Sequence, residues 1–236
     1  METNFGKDKW EDWSNCWMSL FPQRSVEWHL LHIGRITGRS SSVAAGNIRY
    51  TEDDLPENLA LQIIGLRSSK DLQPEERKRM DAGNRAEPIL RNWYSQVRKV
   101  DVKEVGLAIW KKDQLIGASA DGIVSTDGIV EFKYKGQIPS TLIFQAKTHD
   151  GKVSKSVAHI PTRDYDQMQH TMGVLGSQYC DYVILSPKVG IYTERIVFNE
   201  AYFNLLLSRY QQFKEKYLLP AIAEHGIEVI LPPSEK

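Results

Sequence analysis

The stretch 116-IGASADGIVSTDGIVEFKYKG-136 decides how this sequence is read. It holds two Asp-Gly steps, an alternating apolar run, and Glu131 with Lys133 two positions further on. Asp-Gly between β-prone flanks is a hairpin signal, so Thr126-Asp127-Gly128 is expected to turn and its flanks to pair. Asp121 then lies before or at the end of one strand, and Glu131 and Lys133 lie on the next. Their spacing of two puts both side chains on one face, while Phe132 points to the other and packs in a core. A carboxylate and an ammonium thus stand side by side, with a second carboxylate in reach across the hairpin.

Two carboxylates and a main-chain carbonyl are hard oxygen donors that suit Mg²⁺, a cation usually completed by waters and substrate phosphates. A lysine beside such an ion can orient a water and help lower its pKa, as phosphodiester hydrolysis requires. The bland alternative is a cross-strand ion pair worth less than about 1 kcal/mol. Taken alone, the stretch leaves both readings open.

The rest of the chain narrows the class. With 236 residues there is enough for one sizeable core, and one domain spanning 1–236 is expected, with no repeat, low-complexity tract or linker. Hydrophobic residues at 41% and charged residues at 25% describe a soluble globular protein and argue against disorder. No apolar run approaches the roughly 20 residues of a spanning helix. The opening METNFGKDKWEDWSNCWMSLF lacks the apolar core of a signal peptide. Cys16 and Cys180 cannot build a disulfide framework or a four-thiolate centre, so the chain reads as intracellular, reduced and without a membrane partner. Thirty Lys and Arg balance thirty Asp and Glu, so any polyanion must be bound by a local patch.

Trp10, Trp13, Trp17 and Phe21 recur at helical spacing and read as a core-facing helix. Short helices are expected in VEWHLLHIGRITGRSSSVAAGN, on either side of a polar turn around Ile36 to Ser41, and another in PENLALQIIGL. Residues 74 to 98 form the longest candidate, with Ala86, Leu90, Trp93 and Val97 on its buried face. The pattern then switches to short β-rich runs that read as a meander. RDYDQMQHTMGVLG is expected as a helix with Met168, Met172 and Leu175 inward and Gly176 as its stop. CDYVILS and GIYTERIVFN read as two strands. A closing helix over residues 200 to 218 would turn Tyr202, Leu205, Leu206, Tyr210 and Phe213 inward. This order of elements predicts an α/β (α+β) fold, a central mixed β-sheet flanked by helices.

Four blocks in order carry a resemblance. WHLLHIGRITGRS runs from Trp28 to Ser40, and GNRAE sets Glu87 four residues after Gly83. SADG runs from Ser119 to Gly122, with Glu131-Phe132-Lys133 ten residues after Asp121, and YDQMQHTM supplies Gln167 and Gln169. Together they resemble the lambda-exonuclease, or YqaJ-like viral recombinase, branch of the PD-(D/E)xK nuclease superfamily. The resemblance implies a restriction-endonuclease-like core, with an N-terminal helical region of about residues 1–70 packed on it.

It implies a Mg²⁺-dependent deoxyribonuclease, with Mn²⁺ able to substitute and two ions per site. Asp121 and Glu131, with the Phe132 carbonyl, would hold the metals, and Glu87 would reach the second ion or its waters. Lys133 would position the attacking water, and Gln167 would brace the lysine or the scissile phosphate. The two glutamines lie on different faces of their helix, so at most one is expected to enter the site. The substrate would be double-stranded DNA ends, degraded 5′ to 3′ in recombination or repair, with a single-strand annealing protein as companion. Relatives include a ring-shaped trimer, although no subunit interface is legible here.

One departure stands out. Where the family carries an arginine two before the glycine, to grip a 5′ phosphate, this chain has His32. Arg35 and Arg39, with Thr37, Ser40, Trp28 and Gln169, are the remaining DNA- or phosphate-binding candidates; plain surface charge is the competing reading for both arginines. Two rivals stay in view: a structure- or sequence-specific endonuclease on the same core, and a non-catalytic DNA-binding or assembly module. A related branch with an iron–sulfur cluster needs more than two cysteines.

Overall fold

The Asp-Gly stretch crosses from one β-sheet to another at residues 119–121 and then closes as the expected hairpin, Gly122 opposite Val130 and Ile123 opposite Ile129. The computed structural model describes residues 5–67, 74–135, 160–187 and 190–233. The basic stretch with Lys147, Lys152 and Lys155, which the sequence offers as a DNA contact with a solvated loop as the competing reading, lies outside them. The first sheet is antiparallel throughout and runs β1 (Trp10–Asp12), β2 (Cys16–Ser19), β3 (Ala108–Trp110), β4 (Gly117–Ala118) in space. The second is mixed and runs β5 (Gly122–Ile123), β6 (Gly128–Tyr134), β7 (Tyr179–Ser186), β8 (Gly190–Val197). Only β6 and β7 pair in parallel, in register from Gly128↔Tyr179 to Tyr134↔Leu185. A parallel pair needs a crossover, and helix α5 (Thr162–Leu175) lies on it.

The mixed sheet is sandwiched. On one face Val130, Phe132 and Val183 pack against Leu90 and Tyr94 of α4 (Pro74–Arg98). On the other, Ile129, Cys180, Tyr182 and Ile184 join Met168 and Met172 of α5 in the main core. Alternation along β6 therefore puts Glu131 and Lys133 on the α5 side and Phe132 on the α4 side, as the spacing of two requires. Helices α1 (Val26–His32), α2 (Gly38–Ala44) and α3 (Pro56–Ile63) follow the first hairpin. The chain closes with α6 (Glu200–Phe213), a π turn over Lys214–Leu218, and α7 (Leu219–Glu224).

Two glycines are explained by contact and conformation. A Cβ on Gly122 would come within 2.2 Å of Val102 Cγ1, so the residue after Asp121 must be Gly for β5 to lie this close. Gly176 ends α5 with φ of +77°, the left-handed C-terminal stop expected from sequence.

Three readings are corrected. Residues 10 to 19 form an antiparallel hairpin, not a helix, with Asp12 opposite Trp17 and the turn closed by Trp13 N–H donating to Cys16 O at 3.0 Å. Among the described residues the N-terminal region thus has one 3-10 turn at Lys7–Lys9 before the hairpin, and its α-helices begin with α1. On α4 the inward residues are Ala86, Leu90 and Tyr94, while Val97 is exposed. On α6, Phe203 is buried and Leu205 faces solvent. In both helices a stripe drawn at ideal spacing drifts off the true contact line, because the packed neighbour selects which turn meets it. Among the described residues no helix is long and apolar enough to cross a membrane, and both cysteines are free and buried.

Candidate active site

The seam between the two sheets is residues 119 to 121, and each is pinned. Trp28 Nε1 donates to Ser119 Oγ at 3.0 Å, and Gln23 Nε2 to Ala120 O at 2.8 Å. Arg91 Nη2 donates to Asp121 O at 3.2 Å. The β5–β6 register, Gly122↔Val130, carries one step back to set Asp121 beside Glu131. The Phe132 N–H donates to Asp121 Oδ2 at 2.7 Å, which fixes the carboxylate against the return strand. The Phe132 ring meets Tyr94 edge-on with centroids 6.3 Å apart, anchoring this strand from the far side.

On the α5 side three groups form a closed triangle. Lys133 Nζ lies 2.6 Å from Glu131 Oε1 and donates to Gln167 Oε1 at 2.9 Å. Gln167 Nε2 donates to Glu131 Oε1 at 2.7 Å. The amide uses both of its ends, so it holds the carboxylate and the ammonium in a single geometry. Close helix packing allows this, since a Cβ on Gly38 of α2 would sit 2.9 Å from Gln167 Cγ.

Burial sets the electrostatics. It raises the Asp121 pKa well above the usual carboxylate range, and neighbouring Glu131 and Glu87 push the same way against Lys133. Glu131 is raised too, first by burial, with Lys133 opposing. Burial alone would lower Lys133, but Glu131, Asp164 and Asp121 more than offset it, so the ammonium is held charged. Asp164, which sequence reasoning passed over, is a further buried acid on this face. Lys135 pairs with it at 2.8 Å and Tyr182 donates its hydroxyl to it. The signal available was its place in the first turn of α5, three residues before Gln167.

Glu87 projects from α4 toward the same space, but both of its oxygens are occupied. Arg24 Nη2 reaches Oε2 at 2.5 Å and Arg91 Nη2 reaches Oε1 at 2.8 Å. Arg24 carried no sequence signal, whereas Arg91 was legible as an i,i+4 partner of Glu87 on the helix. Arg91 stands one helical turn after Glu87 and also pairs with Glu104.

The Trp28 to Ser40 segment forms one wall. The Trp28 and His32 rings meet at a tilt of 50° with centroids 3.8 Å apart, and His32 Nδ1 lies 2.6 Å from Trp28 O. Burial pushes His32 down to about 4, so the ring is neutral at pH 7 and carries no charge for a phosphate. Arg35, expected at the DNA surface, is instead 1% exposed. Its guanidinium donates to three carbonyls, those of Gln114 at 2.9 Å, Leu31 at 2.6 Å and Ile230. Gln169 is likewise buried rather than DNA-facing, donating to Val197 O at 3.0 Å and accepting the Asn199 N–H at 2.8 Å. Long-range partners claim both groups, and no local pattern announces such partners. The Ser40 hydroxyl is spent on Thr37, accepting its N–H at 2.9 Å. Arg39 is the exposed cation of this wall.

These pieces line one open groove of about 1430 Å³, with Asp121, Glu131, Lys133 and Gln167 in its floor and Glu87, Trp28, His32 and Arg39 around them. The paired acids fit a divalent cation. They are hard oxygen donors, and burial together with their mutual repulsion makes added positive charge favourable. Glu87 does not complete a triad in this arrangement. Among the described residues no group of three His, Cys, Asp or Glu side chains is set to hold an ion.

Solved structures share the architecture. The alkaline exonuclease of Laribacter hongkongensis superposes with a TM-score of 0.58 at 22% identity, over 85% of this chain and 94% of that one. Its complex with dAMP gives 0.61 at 23% identity over the same shares. A phage-related exonuclease from Haemophilus somnus gives 0.56 at 15% identity, over 81% of this chain and 97% of that one. At these identities the likeness speaks for the fold. A search of curated proteins returned no significant match. The model of the YqaJ-like viral recombinase domain matches residues 27–178 of the 236, and the chain belongs to that family.

Proposed function

We propose that the protein is a Mg²⁺- or Mn²⁺-dependent deoxyribonuclease that shortens one strand of double-stranded DNA from its end. The observation that carries this reading is the triangle of buried Glu131 with half-buried Lys133 and Gln167, beside Asp121, in the floor of an open groove. Asp121 and Glu131, with the Phe132 carbonyl, are the groups that would hold a cation; when bound, it supplies charge for the phosphate oxygens and acidifies water. Lys133, kept charged by three acids, holds a water or a phosphate oxygen in line with the scissile bond. Gln167 keeps the lysine from collapsing elsewhere. A second ion would require Glu87 to leave its arginines. The exonuclease names of the structural neighbours, and the nucleotide in one of them, support action at DNA ends. A 5′ to 3′ direction follows the family resemblance.

The test is digestion of linear and covalently closed duplexes with Mg²⁺, with and without a 5′ phosphate. Linear DNA should shorten from its ends while the circle survives, and cutting of the circle would turn the reading to an endonuclease. Neutral His32 and buried Arg35 predict weak dependence on the 5′ phosphate, with Arg39 as the remaining contact. In a folded Lys133→Ala protein, cleavage should fall by about 10²-fold or more. Full activity in that variant would sink the mechanism.

A further inference from the structure

The ion pair between Arg24 and Glu87 is unlike the others around the groove. Glu87 has two guanidinium partners, one more than its charge requires. Arg91 is fixed by further contacts, to the Asp121 carbonyl and to Glu104, and its side chain is only 17% exposed. Among the described residues Arg24 reaches Glu87 alone, and it is 51% exposed. It sits in the loop before α1 with φ of +69°, a conformation uncommon outside glycine and one that aims its side chain at α4. The pair also forms the wall shared by the main groove and a second cavity of about 340 Å³, so the Arg24 side chain has open space on either side.

The geometry points to Arg24 as a further DNA-binding residue, stored on Glu87 until a backbone phosphate competes for it. Resting on the nuclease reading, the inference gives one contact two consequences. With Arg24 on Glu87, that carboxylate is neutralised twice over and repels an added cation. With Arg24 on a phosphate, Glu87 keeps only Arg91 and regains charge toward the metal-binding acids. DNA and cation thus favour each other through this side chain, and each should raise the affinity of the other. A planar guanidinium suits the exchange, since carboxylate and phosphate offer the same bidentate oxygen edge.

The test uses Arg24→Gly, because glycine accepts the positive φ and the variant is expected to fold. Calorimetric titration with Mn²⁺ alone should show tighter binding than wild type, by up to about fivefold for the loss of one partly exposed ion pair. Duplex binding is measured by anisotropy in Mn²⁺ on a Lys133→Ala background, so that the DNA stays intact. It should weaken about tenfold, and the slope of log K against log salt should flatten by about 0.9, the signature of one lost phosphate contact. Arg24→Lys should keep that slope. A merely structural arginine would not tighten one ligand and loosen the other. Mn²⁺ affinity unchanged or weakened, or an unchanged salt slope, overturns the inference while leaving the nuclease reading intact. Wild-type protein that binds neither Mn²⁺ nor DNA removes both.

Discussion

At the scale of single residues, the site is defined by which polar groups are forced together out of water. Asp121 and Glu131 are pushed up by burial, so the folded protein holds protons at a pH where the unfolded chain has released them. For a carboxylate whose folded pKa is raised, the cost of ionisation is absent below the ordinary range near 4 and grows as pH rises through the shifted value. Asp121→Asn removes that cost and keeps an oxygen for the Phe132 N–H. In EDTA its thermal midpoint should therefore exceed wild type by a few degrees at pH 8, and the gap should close toward pH 4. A gap that widens on acidification would show the carboxylate to be stabilising. Mg²⁺ should raise the wild-type midpoint and leave the variant nearly unmoved. These acids were legible in the sequence because the spacing of ten and then two is local. Arg35 and Gln169 were misread because their partners, at Gln114, Ile230, Val197 and Asn199, are distant in sequence.

At the scale of elements, α5 is the hub that presents Gln167 to the groove and holds its neighbours by a buried carboxylate. Asp166 accepts the Ser42 hydroxyl at 2.6 Å, the Asn47 amide at 2.8 Å and the Tyr202 hydroxyl at 2.5 Å, joining α2, the turn after it and α6. Asp166→Ala leaves three donors without an acceptor and should cost about 3 kcal/mol or more in a urea melt. Asp166→Asn, which keeps one acceptor oxygen, should cost less. A loss under about 1 kcal/mol would mean that water replaces the carboxylate. Helix α5 was legible from its apolar spacing and its Gly stop. The β1–β2 hairpin was not, because three tryptophans at helical intervals masked the turn signal in Ser14-Asn15.

At the scale of the whole molecule, a chain of zero formal net charge can offer a polyanion only a local patch, and the groove wall is held from the far end of the chain. Ile230 O caps the buried Arg35 guanidinium, and Val229 lies against Gly34. Burial pulls Arg35 down to about 10, so at neutral pH it is a charged group that needs every one of its carbonyls. A chain stopped at Gly226 loses one of these partners together with the packing of Ile227 and Ile230. It should be less stable by about 2–3 kcal/mol, a midpoint lower by roughly 4–12 °C. An unchanged midpoint would mean that the tail is only draped over this wall.

By itself the sequence determined the local chemistry: the Asp-Gly step, the Glu-x-Lys on one strand face, the glutamine helix and the order of blocks that names the family. Each depends on spacing along a few residues, where strand and helix periods leave little choice. Only the tertiary structure decided which charges reach the groove. It put the seam between two sheets at Ser119 to Asp121, buried Arg35 and Gln169, and brought Arg24 onto Glu87 across 63 residues of chain. The reason is physical. A polar side chain's role is set by the partner that satisfies it, and once the chain folds that partner can come from anywhere.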